Sequence, residues 1–240
     1  MFVRAIKIAK KAMFPLFRFE QVNEALFRVF VIGTGYFINR NGFFATVAHV
    51  FDNPTPQTKF RFFGFLPDSV HNPALEIAEV ARDDDHDICI GRVQTISPNY
   101  LHFSRVRPEI GKSVCISGYP LAQIQNNSQG GLELSGVRRY FQPSFVLDYT
   151  RSSCDNGHGR IRMHDGFLVR DVGLFGMSGG PVFATNGQVL GMQGSVTSPR
   201  ISTGGAGRSI AVENAVIIRN ELILNLLRKN GVRFNLLGNF

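Results

Sequence analysis

The chain opens on a segment whose apolar and basic positions separate at the helical period. Over Met1–Phe14, at about 100° per residue, Arg4, Lys7 and Lys11 share one side with Lys10 at its edge, and Phe2, Ile6, Ala9 and Met13 lie opposite. This pattern predicts a short amphipathic helix stopped by Pro15. From about Phe27 it gives way to short apolar runs punctuated by Gly, Asn and Pro. Phe27–Ile32, Gly35–Asn39, Gly42–Val47, Phe60–Phe65, Leu75–Val80 and Asp87–Val93 each suit a strand. A second series comprises Ser113–Ser117, Leu132–Val137, Phe141–Thr150, Gly166–Val169, Gly180–Ala184 and Val189–Val196. Asn39-Arg40-Asn41-Gly42 and Asn186-Gly187 are hairpin turns, with glycine supplying the positive φ. The exception is Val212–Lys229, which predicts a helix: Asn214, Glu221, Asn225 and Arg228 form a polar stripe, and Gly231 can end it. Without strands alternating with long helices, a parallel α/β sheet is not expected. The reading is all-β, two runs of strands and then one helix.

Composition narrows the class. At 240 residues, 44% hydrophobic and 18% charged, the chain can bury a core, and disorder is excluded for most of it. No apolar run reaches the roughly 18–20 residues of a membrane-spanning helix. The odd count of 3 cysteines, Cys89, Cys115 and Cys154, does not make a disulfide framework and suits a cytoplasmic or other reducing compartment. The net charge of +8 invites a nucleic-acid reading, yet Arg4, Lys7, Lys10, Lys11 and Arg18 all precede the first acid, Glu20, and removing them leaves +3. No nucleic-acid partner is expected: only Arg138-Arg139-Tyr140-Phe141 interleaves basic and aromatic residues in the body. Residues 1–14 lack the long apolar centre and cleavage site of a secretory signal. They are expected to pack on the body, with a peripheral membrane, partner or targeting contact as the alternative.

Candidate chemistry centres on Gly176-Met177-Ser178-Gly179-Gly180-Pro181. A serine between glycines can be lifted on a tight turn where backbone N–H groups converge, the makings of a nucleophile and an oxyanion hole. The string also fits the nucleophile elbow of α/β-hydrolases, which needs its histidine after the serine. All 6 histidines precede Ser178. A subtilisin order would have to pair Asp52 with His71 on a parallel α/β fold that the pattern does not support. His…Asp…Ser remains. His49 ends the apolar strand Phe44–Val47, whereas His71, His86, His102, His158 and His164 have polar or loop-like neighbours. In Asp83-Asp84-Asp85-His86-Asp87 only Asp87 opens an apolar strand, so it alone is anchored by adjacent burial. The acidic run lacks spaced His or Cys partners, and neither a metal nor a cofactor is expected.

Together these segments resemble the trypsin/chymotrypsin family of serine proteases, and most closely its Deg/HtrA-type branch. Gly33-Thr34-Gly35-Tyr36-Phe37-Ile38, Thr46-Val47-Ala48-His49-Val50, Asp87-Ile88-Cys89-Ile90, Pro108-Glu109-Ile110-Gly111, Gly176–Pro181, Val189-Leu190-Gly191-Met192 and Gly207–Val212 carry the likeness in consistent order. The resemblance implies two six-stranded antiparallel β-barrels with a cleft between them. It implies Ser178 as nucleophile, His49 as general base then acid, Asp87 as its orienter, and the N–H groups of Gly176 and Ser178 as oxyanion hole. A polypeptide substrate would pair along Gln193, Gly194, Ser195 and Val196. Val172 would floor the primary pocket and favour an apolar residue before the scissile bond. It divides the chain into a basic extension (1–28), a first barrel (29–108), a second barrel (109–211) and a C-terminal helix and tail (212–240).

The chain departs from the digestive enzymes where Met177 replaces the aspartate that pairs with a new N-terminus, so that activation route is not expected. A PDZ module is not expected within these residues. A silent peptide-binding module of the same fold is the alternative function, with a basic nucleic-acid- or membrane-associated protein ranked behind it, and the pattern is mute on oligomeric state.

Overall fold

The computed structural model describes the chain except residues 22–26, 53–58, 67–73, 98, 127–131, 137–138, 156–160, 198–199, 203–208, 212 and 238–240. His71, His158, Gly207, Arg208 and Val212, singled out above, lie outside the described residues.

The amphipathic opening forms helix α1 (Val3–Ala12), with Ala5, Ala9 and Ala12 buried and Arg4, Lys7 and Lys11 exposed. Its apolar side packs on the body: Phe2 meets Phe183 edge-on at 6.3 Å, and Ala5 and Ile8 lie over Gly187. The helix ends before Pro15, at Ala12, and the chain turns directly into strand β1 (Met13–Gln21). Pro15 is therefore a strand residue. It precedes the stretch, from Leu16, in which β1 is paired on both sides, and there a missing N–H is tolerated.

Strand β1 corrects the expected boundary at residue 29, because it is a stave of the first barrel. With β2 (Phe27–Phe37), β3 (Phe43–Thr46), β4 (Phe60–Phe65), β5 (Ala74–Asp83) and β6 (Ile88–Val93) it closes a six-stranded antiparallel barrel in the order β1-β2-β3-β6-β5-β4. Phenylalanines fill it. Phe14 of β1 lies 4.7 Å from Phe37 and 5.2 Å from Phe44 by ring centroids, the last edge-on. Cys89 on β6 is a buried free thiol.

The short strand β7 (Phe103–Ser104) marks the passage to the second barrel. There follow β8 (Ser113–Gly118), β9 (Gln123–Asn126), β10 (Leu132–Ser135), β11 (Tyr140–Asp155), β12 (Ile161–Val169), β13 (Pro181–Phe183), β14 (Val189–Thr197), β15 (Arg200–Ser202), β16 (Ser209–Ala211) and β17 (Asn214–Arg219). Strands β13-β8-β11-β12-β17-β14 form a ring that the β13–β14 pairing closes. Val114, Ile116, Phe167, Val182 and Ile217 fill its interior together with Met177. Phe141 of β11 lies 6.4 Å from Phe183 by ring centroids, and Arg139 donates to the Tyr119 hydroxyl at 3.0 Å. Arg139 and Phe141, two of the four residues of the one basic–aromatic candidate segment, therefore have partners within the body, and Arg138 lies outside the described residues.

The long helix expected over Val212–Lys229 is two elements, strand β17 and helix α2 (Asn220–Lys229). Ala215-Val216-Ile217-Ile218 is buried on both faces and β-branched at its last three positions, so strand pairing with β12 and β14 outcompetes the helical period. The second barrel accordingly extends beyond residue 211. Helix α2 rests on β5 of the first barrel and β14 and β17 of the second. Strand β18 (Leu236–Leu237) then pairs in parallel with β7, which itself runs parallel to β14.

If β1 is structural, Phe14→Ala removes a ring from the centre of the first barrel. The expected cost is about 3–5 kcal/mol in urea unfolding, against a near-zero effect for a residue in an appended arm.

Candidate active site

Strand β3 ends in the single 3-10 turn Ala48–Phe51, which carries His49 at the rim of the first barrel. Asp87 stands one residue before β6, the neighbour of β3 in the barrel. Its backbone has φ +58, a left-handed conformation that aspartate tolerates better than most side chains. The conformation aims the carboxylate at the histidine turn. His49 Nδ1 lies 2.7 Å from Asp87 Oδ2, the His49 backbone N–H donates to Oδ1 at 2.9 Å, and the Ala48 N–H donates to the Asp87 carbonyl at 3.2 Å. The Asp87 side chain is 2% exposed and that of His49 32%, so a shielded carboxylate holds an imidazole that solvent and ligands can reach.

The Ser178 turn from the second barrel is wedged against the same strands. The Thr34 N–H of β2 donates to the Ser178 carbonyl at 2.8 Å. A Cβ on Gly33 would come within 2.8 Å of that carbonyl oxygen and 2.7 Å of Val50 Cγ1, and one on Gly179 within 2.1 Å of Thr46 Oγ1. Only glycine permits this approach. The Thr34 hydroxyl donates to the Gly176 carbonyl at 2.8 Å and accepts from the Tyr119 N–H at 3.0 Å, pinning the start of the turn. Gly176 has φ +91, a region open to glycine. Within the turn, the N–H groups of Met177, Gly179 and Gly180 donate to the carbonyls of Leu174, Gln193 and Met177. Those of Gly176 and Ser178 have no protein carbonyl accepting from them among the described residues.

Of the residues expected to bind substrate, Gln193–Val196 lie on β14, with a bulge between Gln193 and Ser195 in the ladder to β17. The β13 ladder on this strand ends at Met192. Gln193 is buried, with its carboxamide against Gly173 and hence beside half-buried Val172. Val196 is exposed. An apolar groove of about 640 Å³ opens beside His49, lined among others by Phe17, Phe30, Ile32, Leu121 and Phe175.

The family description "Trypsin-like peptidase domain" matches residues 33–192, which contain His49, Asp87 and the Ser178 turn. The chain belongs to the trypsin-like peptidase family. No curated protein matches its sequence. Among solved structures, the active form of the Rv3671c protease from M. tuberculosis is similar at TM-score 0.63 and 21% identity, covering 97% of this chain and 86% of that one. An inactive form of the Rv3671c protease is similar at TM-score 0.59 and 21% identity, covering 95% and 93%. At that identity the likeness is one of fold.

Three residues of the candidate site carry no legible signal of their place there in the sequence. Thr34 was noticed only for its flanking glycines. Asp52 was considered only as a partner for His71, whereas it accepts from Arg82 and, at 2.7 Å, from Arg162 Nη2. Arg162, on β12, also places Nη1 3.2 Å from Asp87 Oδ1. Its one sequence signal is a charged residue between Ile161 and Met163 in a strand, which names no partner. In the acidic run, His86 Nδ1 lies 2.9 Å from Asp83 Oδ2, and Asp84 accepts from Arg82 at 2.7 Å. Met177 is fully buried in the second core, its α-carbon against Gly118.

Thr34→Val keeps the shape and deletes both bridging bonds, leaving the Gly176 carbonyl and Tyr119 N–H unpaired. A loss of about 1–3 kcal/mol in denaturant unfolding is expected, and an unchanged midpoint would refute the bridge. Burial draws the Asp52 carboxyl up, but the hydrogen bonds and charges of Arg82 and Arg162 outweigh it and hold it below the ordinary range. A depressed carboxyl stabilises fully above its unfolded pKa of about 3.9 and loses that contribution as pH falls through the folded value. Asp52→Asn should therefore flatten the fall of the urea midpoint over that acid window.

Proposed function

We propose that the protein is a serine endopeptidase working through an acyl-enzyme on Ser178. The Ser178 hydroxyl attacks the scissile carbonyl carbon as its proton passes to His49 Nε2. Asp87 holds the Nδ1–H tautomer and faces the imidazolium that forms. The oxyanion accepts from the N–H groups of Gly176 and Ser178. Collapse expels the amine, which takes the proton from His49, and water then repeats the sequence in reverse to free the acid and Ser178. The observation that carries this reading is the His49–Asp87 pair, 2.7 Å long and shielded on the acid side, set at the strands on which the Ser178 turn is seated.

Substrate backbone adds to the edge of β14 along Gln193–Val196, as a strand joining a sheet. The uncharged lining of Val172 and the Gln193 carboxamide favours an apolar residue before the scissile bond and offers no counter-ion to lysine or arginine. The apolar groove beside His49 suits further side chains of an extended polypeptide.

A fluorophosphonate probe should phosphonylate Ser178, with fluoride as leaving group, and Ser178→Ala should abolish labelling. Asp87→Asn should slow turnover of a peptide substrate by about 10⁴-fold through the wrong imidazole tautomer. A correctly folded but unlabelled protein would instead assign the fold to peptide binding without cleavage.

A further inference from the structure

The carboxylate that orients His49 is held by a cation from the opposite barrel. Asp87 is nearly sealed from water, and a buried carboxylate is costly unless it is paired and hydrogen-bonded. His49 contributes a backbone N–H and an imidazole that carries no charge until it accepts a proton. Among the described residues, the permanent charge in contact with Asp87 is Arg162, whose side chain is 6% exposed and whose Nη1 reaches Oδ1 at 3.2 Å. The other arm of the guanidinium, Nη2, is fixed at 2.7 Å by Asp52. Asp52 is in turn bound by Arg82, which also holds Asp84 at 2.7 Å and Glu79 at 3.4 Å. The charges alternate in one line, from the acids beside Arg82, through Arg82, Asp52 and Arg162, to Asp87 and His49. Backbone contact runs beside it: the Met163 N–H, next to Arg162, donates to the Asp85 carbonyl at 2.6 Å.

We propose that Arg162 is a positioning residue for the peptidase reaction, a strut from β12 that keeps the Asp87 carboxylate aimed at Nδ1, with Asp52 as its counter-ion. The inference rests on the serine-peptidase reading above. The division of labour at Asp87 supports it. Oδ1 accepts the His49 N–H and lies in ion-pair contact with the Arg162 guanidinium, so Oδ2 alone remains for the imidazole, and the carboxylate cannot rotate without breaking a hydrogen bond and an ion pair. The left-handed backbone of Asp87 needs such support, because sparsely populated conformations persist only where the surroundings over-determine them.

The strut also has an electrostatic signature that simple packing lacks. A guanidinium beside Asp87 offsets part of the field that favours an imidazolium at His49, and Asp52 offsets part of the guanidinium. Removing Arg162 leaves a more negative environment, so the imidazole keeps its proton to higher pH and the acidic limb of the rate profile moves up. Removing the Asp52 charge leaves a more positive one, and the limb moves down. Two disruptions of one ion-pair line thus push the same profile in opposite directions.

The test measures the second-order rate of fluorophosphonate labelling at Ser178 against pH in the full chain, with thermal unfolding recorded for each variant. Arg162→Met is expected to label about 10- to 100-fold more slowly than the parent at neutral pH, short of the ~10⁴-fold effect of disabling the acid. Its acidic limb should rise by about half a pH unit, and that of Asp52→Asn should fall by a similar amount. Arg162→Lys, which keeps the charge, should recover most of the rate and return the limb toward the parent's. Should Arg162→Met not fold, Asp52→Asn and Arg162→Lys carry the same comparison. Limbs that stay fixed, or move together, would overturn the strut while leaving a labelled parent a peptidase. A folded parent that is never labelled would remove both the peptidase reading and the strut.

Discussion

Two backbones meet at the junction of the barrels with no room for a side-chain carbon between them. The Ser178 carbonyl lies on the Thr34 amide of β2, and neither Gly33 nor Gly179 could carry a Cβ there. A turn on the second barrel is therefore located by strands of the first. The histidine turn at the end of β3 and the serine turn share one frame, and their relative position does not depend on the flexible side chains of a cleft. Thr34 completes the arrangement by tying the Gly176 carbonyl and the Tyr119 amide to β2. Residues within a few positions of one another on one strand thus set the height, the direction and the starting conformation of the serine turn.

Polar contacts across this junction are largely buried, which raises the stakes of each. In a site of low effective dielectric a satisfied ion pair is rigid and an unsatisfied one is expensive. The alternating carboxylates and guanidiniums between Arg82 and Asp87 meet that condition by giving each charge an opposite neighbour. The thiols behave in the contrary way: burial pushes Cys89 and Cys115 well above the ordinary thiol range, so neither is a reactive thiolate. Arg4, Lys7 and Lys11 form an exposed basic side on α1, away from this line of charges.

What could be read along the chain was whatever is written in short-range pattern. The runs around Phe44–Thr46 and Val189–Thr197, the Asn-Gly turns and the order His49, Asp87, Ser178 each lie within a few residues of their signal. Strand β1 was hidden because Met13–Phe17 is buried throughout and shows no alternation, while Pro15 mimics a helix stop. Strand β17 was absorbed into the helix that follows because a short apolar run buried on both faces has neither period. Arg162 has no local signal, since its partners Asp52 and Asp87 belong to another barrel. Local sequence specifies strands and turns; it does not specify which strands will face each other.

Helix α1 sits on the turn between β13 and β14, deep in the second half of the chain, and passes without a linker into the first stave of the first barrel. The tail returns the other way, β18 closing on β7 between the barrels, and the Asn39 side chain of the first barrel donates to the Arg233 carbonyl at 2.8 Å. Each end of the chain therefore packs on the barrel built mainly from the other half. Contacts of such long sequence separation are entropically late, so assembly is expected to be slow, with the two halves maturing together. A chain cut at the passage between the barrels would not yield two autonomous domains: it would separate the first barrel from the body on which its leading helix is seated.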